Sequence, residues 1–180
     1  MKATGIVRRI DDLGRIVIPK EIRRTLRIRE GDPLEIFTDR EGKVILKKYS
    51  PIGELGTLAG IYADSLSKTL DCTVCITDTD QVIAAAGNGK KELQEMLLSA
   101  ELAEVFQERK TVLKKRSDAE FVAITKDRSE YSEEIISVIL SEGDIAGGVI
   151  FLQKNEKKHF GEMEKKFAAG AADLLGRQLS

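Results

Sequence analysis

Residues 5–26 read GIVRRIDDLGRIVIPKEIRRTL, and this stretch decides the fold at the start of the chain. Apolar and basic side chains alternate in residues 6–10, and residues 15–18 form a run of β-branched apolar residues, so both segments are predicted strands. The turn-forming residues 11–14 separate them. Pro19 ends the second strand and suits the first position of a helix. A short helix is therefore expected next.

This helix, predicted from Pro19 to about Ile28, has an apolar edge and a basic side. At about 100° per residue, Ile22 and Leu26 lie on one edge, while Arg23, Arg24 and Arg27 lie on the opposite half. Two further strands and their turn are predicted at 34–38, 44–49 and 39–43. The resulting order is β-α-β-β.

Charge divides unevenly along the chain. Residues 1–50 contain 13 Lys and Arg against 8 Asp and Glu, whereas the remainder contains 16 against 22. The formal net charge of −1 conceals this difference. A basic segment joined to an acidic one indicates contact with nucleic acid or an acidic surface.

A β-α-β-β unit of this size buries too little apolar surface to be stable alone, and the segment has neither a disulfide nor a metal site. We therefore expect two copies to interleave around a two-fold axis, which suits duplex DNA. The expected shared core contains Ile6, Ile10, Ile16, Ile18, Leu34, Ile36 and Ile45.

Residues 4–49, with the stretch above followed by EGDPLEI and VILKKY, resemble the swapped-hairpin DNA-binding domain of the AbrB family of bacterial transition-state regulators. The resemblance implies an interleaved dimer that contacts DNA through arginines of both chains. The arginines at the family's contact positions are Arg8, Arg15, Arg23 and Arg24. Arg9 and Lys2 lie beside the motif and are candidate phosphate contacts.

Two interpretations of these arginines compete. A guanidinium fork donates paired hydrogen bonds to phosphate or guanine, which favours a DNA site. Alternatively, the arginines are solvated or paired with Asp11, Asp12 and Glu21. The short helix lacks the partner helix of a helix-turn-helix motif, so we expect affinity from phosphate contacts and a shape-based preference for A·T-rich duplexes.

Residues 51–56 contain one Pro and two Gly, and they are predicted to link domain 1–50 to a second domain at 57–180. The second domain has predicted helices at 58–70, 93–105 and from about 160. Its predicted strands lie at 73–77, 82–86, 111–113, 121–125, 134–140 and 145–152. This α+β order resembles a GAF domain.

The GAF resemblance implies a small-molecule-sensing module with an antiparallel sheet and dimerising helices, and it leaves the ligand unknown. An apolar stripe on the last helix is long enough for a partner helix: Met163, Phe167, Ala171, Leu174 and Leu175. Two dimerising regions predict a homotetramer. A ligand that favours one arrangement of the second domains would change the spacing of the DNA-binding ends.

Three motifs could carry chemistry. Cys72 and Cys75 have C-x-x-C spacing but fall on opposite faces of a predicted strand, which favours a buried structural pair over a redox switch. A zinc site would need two further ligands, and the chain has one His and no other Cys. His159 is expected to be an exposed residue at a helix start. Residues 87–91 could cradle an anion, although a simple turn is the preferred interpretation.

The favoured function is a cytoplasmic, nucleoid-associated transcription regulator without cofactor or catalytic site. The AbrB-like domain combined with this second domain resembles a regulator of sporulation, which implies activation and repression of late sporulation genes. The N-terminus and the lack of an 18-residue apolar run argue against a signal peptide or membrane span. The alternatives are an antitoxin-type protein-binding module, or a GAF-domain redox enzyme that uses Cys72 or Cys75.

Overall fold

A computed structural model describes residues 5–126 and 130–179. The chain divides between Tyr49 and Ser50 into two compact units. The N-terminal unit has one helix and two strands: α1 (Lys20–Thr25), β1 (Leu34–Thr38) and β2 (Val44–Lys48). The C-terminal unit has five helices and five strands in its described part: α2 (Pro51–Glu54), α3 (Gly56–Leu70), β3 (Thr73–Thr77), β4 (Val82–Ala86), α4 (Lys90–Leu93), α5 (Ala100–Gln107), β5 (Val112–Lys115), β6 (Glu133–Ser141), β7 (Asp144–Gln153) and α6 (Glu162–Gln178).

The N-terminal unit has almost no core within one chain. Strands β1 and β2 form an antiparallel hairpin, and Pro19 is the only buried residue in 5–49. Large apolar side chains are open to solvent, including Val7 at 85% exposure and Ile10 at 65%. Burial of apolar side chains is the main stabilising term in folding. One chain alone therefore buries too little apolar surface to stabilise this unit.

Residues 6–10 and 15–18, predicted as strands, do not form strands among the described residues of one chain. Their backbone joins no ladder, and the turn between them is closed mainly by the hydrogen bond from Asp11 N to Arg15 O. A strand is defined by a ladder of hydrogen bonds to a neighbouring strand, and a segment that joins no such ladder is irregular. The hairpin predicted from 34–38 and 44–49 is confirmed with only its last residue outside β2.

The C-terminal unit is a five-stranded antiparallel sheet in the order β4-β3-β7-β6-β5, with helices on both faces. Alternate residues of β6 enter different cores: Ile135 and Ile139 pack with α2, α3 and α6, whereas Ile136 and Val138 pack with α4 and α5. This period of two explains why apolar residues occur on both faces of the central strands. None of the described helices combines the length and apolar character needed to cross a membrane.

The predicted linker 51–56 is helical in the structure. The Ser50 hydroxyl accepts a hydrogen bond from Gly53 N and caps α2, whose Ile52 is fully buried in the core. Gly56 begins α3. The segment belongs to the C-terminal unit because burying Ile52 removes a large apolar side chain from water. The assignment of separate functions to 1–50 and 57–180 stays a prediction.

Two other predicted elements differ from the structure. The helix expected over 93–105 is divided between α4 and α5, because residues 94–98 cover the free edge of β4: Gln94 bonds Ala85 N and Ile83 O, and Met96 O accepts from Val82 N. The strand expected at 121–125 is reduced to an isolated bridge between Thr125 and Leu98. Residues that cover the edge of a strand show no periodic pattern, so the sequence does not predict such a segment.

Candidate nucleic-acid interface

A tight turn positions the first candidate DNA contact, Arg15. The backbone N–H groups of Leu13 and Arg15 donate to Asp11 Oδ1 at 3.0 and 2.8 Å, and Gly14 N donates to Asp11 O at 3.0 Å. Gly14 has φ 75°, a conformation that glycine adopts without steric cost. One aspartate side chain therefore organises the whole turn.

The same carboxylate also holds the Arg15 side chain. Arg15 Nε donates to Asp11 Oδ2 at 2.8 Å, while the guanidinium remains exposed. The hydrogen bonds from Arg15, its backbone N–H first and its side chain second, hold the pKa of Asp11 below its ordinary value. The anticipated pairing of arginines with nearby acids is thus present at Arg15, and it fixes the direction of the guanidinium.

Helix α1 presents the next two arginines. Pro19 precedes the first helical residue and its carbonyl accepts from Arg23 N. Arg27 adopts φ 54° after the helix, so α1 ends at Thr25, earlier than predicted. Arg23 and Arg24 are both exposed. Within residues 5–126 and 130–179, neither forms an ion pair with a carboxylate, so both retain an unneutralised charge.

Arg8 and Arg9 lie on the extended arm before the turn, and both are exposed. Neither side chain has an ion-pair partner among the residues that the structure describes. Lys2 lies outside the described residues. The structure therefore places five of the six predicted contacts on two neighbouring segments of one unit, the arm with its turn and α1.

The turn at Asp39–Lys43 repeats the Asp11–Arg15 turn. Asp39 Oδ1 accepts from Glu41 N and Lys43 N, both at 2.9 Å, and Gly42 N donates to Asp39 O at 3.2 Å. The shared pattern is Asp-x-x-Gly followed by a basic residue. The sequence predicted a turn at 11–14 and Asp11 as a competitor for arginines; this repeat is the signal that could have revealed that Asp11 itself organises the turn.

In the C-terminal unit, the carboxyl group of Glu134 is strongly perturbed. Its side chain is fully buried on the face of α4 and α5, where Oε1 accepts from Val122 N at 3.0 Å. Among the described residues, Oε2 has no hydrogen-bond partner. Burial raises the pKa of Glu134 to about 7, although the Val122 N–H and the Lys114 charge both act to lower it.

The other candidate chemical motifs have structural roles. Cys72 and Cys75 enter opposite cores, and burial raises the pKa of both thiols to about 12, which suppresses thiolate chemistry. His159 is exposed and precedes α6, with Nδ1 2.7 Å from Oε1 of the buried Glu133. Residues 87–91 form a turn into α4, which has only four residues.

Two family models divide the chain. Residues 54–180 match the model described as "Stage V sporulation protein T C-terminal, transcription factor", and residues 7–54 match "Antidote-toxin recognition MazE, bacterial antitoxin". Stage V sporulation protein T of Bacillus subtilis (strain 168) is 51% identical over 183 residues, which cover 99% of each chain. The chain belongs to the stage V sporulation protein T family. This family comprises transcription regulators of sporulation, not enzymes, as the sequence predicted.

The N-terminal resemblance is confirmed by a second relative. Transition state regulatory protein AbrB of the same organism is 67% identical over 51 residues, 28% of this chain and 52% of that protein. Solved structures similar to the chain include the PixJ GAF domain of Thermosynechococcus elongatus, at 14% identity, with 73% of this chain and 90% of that chain covered and a TM-score of 0.53.

A type II free methionine-R-sulfoxide reductase from Thermoplasma acidophilum has a similar fold, at 12% identity, with 71% of this chain and 94% of that chain covered and a TM-score of 0.56. At these identities the likeness concerns the fold alone. It confirms the GAF-like α+β architecture and gives no support to the redox-enzyme alternative.

Proposed function

We propose that this sporulation transcription regulator binds double-stranded DNA through Arg8, Arg15, Arg23 and Arg24 of two interleaved chains. Arg9 and Lys2 supply further phosphate contacts. The observation that carries the proposal is that residues 5–49 expose apolar and cationic side chains together. An exposed apolar surface is typical of an interface, here with a second copy of the chain. Guanidinium groups that no carboxylate neutralises attract an anion.

The dimer explains the missing strands of the arm. Residues 6–10 and 15–18 have strand-forming sequences and no ladder within one chain. Pairing with a second copy would place these segments in a ladder and cover the apolar side chains in one step. It would also place two sets of arginines about a two-fold axis. Since α1 is one short helix, we expect phosphate contacts and A·T-rich, easily deformed DNA to dominate recognition.

The decisive test is DNA affinity against salt concentration. The full-length chain and Arg23→Ala/Arg24→Ala are compared on an A·T-rich and a G·C-rich duplex. The slope of log affinity against log salt should become shallower by about 0.9 for each phosphate that the variant no longer neutralises. Lys90→Ala/Lys91→Ala removes two exposed charges from the C-terminal unit and should leave the slope unchanged.

A different outcome would favour protein binding. If neither duplex binds even at low salt, the basic surface of the N-terminal unit serves a protein partner, as the match of residues 7–54 to an antitoxin model suggests. The folded C-terminal unit weighs against an antitoxin, which usually ends in an acidic flexible tail. The cytoplasmic, nucleoid-associated location follows from DNA binding and has the same test.

We further propose that the C-terminal unit senses a small molecule and assembles the dimers into a tetramer. Its GAF-like fold supports sensing, and an exposed apolar groove between α3 and α6 supports assembly. An effector must change DNA affinity to act through linkage. A thermal-shift screen of nucleotides and amino acids, followed by DNA titration with any stabilising compound, tests this role; identical DNA affinity with and without each compound contradicts it.

A further inference from the structure

The aspartate in the arm turn performs two separable tasks. Asp11 Oδ1 accepts the Leu13 and Arg15 backbone N–H groups and builds the turn, while Oδ2 accepts Arg15 Nε at 2.8 Å. The carboxylate thus approaches the guanidinium from its Nε side. The two terminal Nη groups lie beyond this contact, on a side chain that is 68% exposed. A guanidinium oriented in this way can offer both Nη groups to one anion.

We propose that Asp11 is a positioning residue for DNA recognition: it holds the Arg15 guanidinium so that its terminal N–H groups face the duplex. The inference rests on the proposed DNA contact of Arg15 and deepens it. A long arginine side chain loses rotamer freedom when it binds, and a side chain already held in place loses less. An acidic residue therefore strengthens binding to a polyanion.

The second turn shows that this arrangement is not required for turn formation. Asp39 builds the same backbone pattern, but Lys43 Nζ lies 3.4 Å from Asp39 Oδ2 and also pairs with Glu41. Lysine has no planar fork to orient, and two acids share its charge. Asp39 is thus a natural control for Asp11: it has the same residue type, turn and charge without a guanidinium to position.

Positioning and simple electrostatics predict opposite signs for Asp11→Asn. Removing a negative charge near phosphates should strengthen DNA binding if charge alone matters. Asparagine keeps Oδ1 for the turn but presents an N–H group to Arg15 Nε, so it cannot accept the orienting hydrogen bond. We expect Asp11→Asn to bind an A·T-rich duplex roughly two- to fivefold more weakly, and Asp39→Asn to bind as tightly as the unmodified chain or slightly more tightly.

A double-mutant cycle separates positioning from a structural effect. In the Arg15→Ala background, adding Asp11→Asn should cause no further loss of affinity, because the aspartate acts through that arginine. Asp11→Ser keeps one side-chain oxygen that can accept backbone N–H groups in the turn but has no second oxygen for Arg15 Nε. It should weaken binding as Asp11→Asn does, and this variant preserves the test if Asp11→Asn fails to fold. Circular dichroism melts of each full-length variant report folding.

Each remaining outcome overturns a defined statement. Unchanged or tighter binding by Asp11→Asn overturns the inference, as does an equal loss of affinity in Asp39→Asn or a loss that persists without Arg15. If Arg15→Ala itself binds normally, the assignment of Arg15 in the proposed function is wrong and the inference falls with it. Normal binding by Arg23→Ala/Arg24→Ala as well would reject the whole proposed interface.

Discussion

At the residue scale, the negative charge of Glu134 opposes the fold of the C-terminal unit. Its carboxyl is buried, with one oxygen bonded to Val122 N and the other without a partner among the described residues. A carboxylate removed from water loses hydration that one hydrogen bond and the Lys114 charge do not replace. The pKa of Glu134 consequently rises from 4.5 to about 7.

This raised pKa predicts a specific pH dependence of stability. Between pH 4.5 and about 7 the folded chain binds this proton more tightly than the unfolded chain, so the free energy of unfolding falls as pH rises and then levels off. The contribution is at most about 3 kcal/mol. Glu134→Gln should abolish this slope and be the more stable protein at pH 8.

Urea unfolding of both proteins at pH 5, 6, 7 and 8 checks the prediction. Glu101→Gln, which removes an exposed carboxyl from α5, is the control and should keep the slope. Parallel pH profiles for the unmodified chain and Glu134→Gln would show that Glu134 is ionised at no cost in the folded state.

At the scale of elements, helix α6 is held against β6 by a close backbone approach at Gly176. A Cβ atom placed there would lie 2.1 Å from the Leu140 carbonyl oxygen, far inside van der Waals contact. Gly176 is therefore required by packing and not by backbone conformation. Nothing in the periodic apolar pattern of α6 distinguishes this glycine from Gly170, beside which a Cβ would meet no atom within 4 Å.

Gly176→Ala should destabilise the C-terminal unit by about 1–3 kcal/mol, because the helix must move away from the strand. Gly60→Ala is the matched control, since a Cβ at Gly60 of α3 meets nothing within 4 Å. That substitution should stabilise the protein by up to about 1 kcal/mol through helix propensity. Thermal unfolding of the two variants measures both signs; equal effects would exclude the close approach.

Element prediction succeeded where each strand or helix has its own period. Strands β3 and β4 begin and end where the alternation predicted, and β6 and β7 extend their predicted ranges by one residue at each end. The failures are elements that depend on something outside their own segment. The arm lacks a ladder partner in one chain, and residues 94–98 cover the edge of β4 in place of continuing a helix.

At the scale of the whole molecule, the apolar groove of α3 and α6 predicts how dimers assemble. Its volume is about 500 Å³, and its lining includes Tyr62, Leu66, Met163, Phe167 and Leu174. Phe167 remains 43% exposed and Met163 61% exposed. Exposed apolar patches of this kind are typical of protein interfaces, so this face accounts for the second pairing in the proposed tetramer.

Phe167→Glu should convert tetramers to dimers, because a charge in an apolar interface loses its hydration. Ile61→Glu is the control: Ile61 is exposed on α3 and does not line the groove, so this change should leave the assembly intact. Sedimentation equilibrium over a range of protein concentrations gives the stoichiometry. A tetramer that persists in Phe167→Glu would assign the second interface elsewhere.

The sequence by itself determined the α+β class, most strands and the family, because periodicity, turn residues and motif spacing are local properties of a chain. It also identified the basic segment and its arginines. Only the tertiary structure revealed that Asp11 orients Arg15, that Glu134 is buried with one oxygen unpartnered among the described residues, and that Gly176 admits no Cβ. These features depend on distances between specific atoms. Folding sets those distances, and no pattern of residue types in the sequence predicts them.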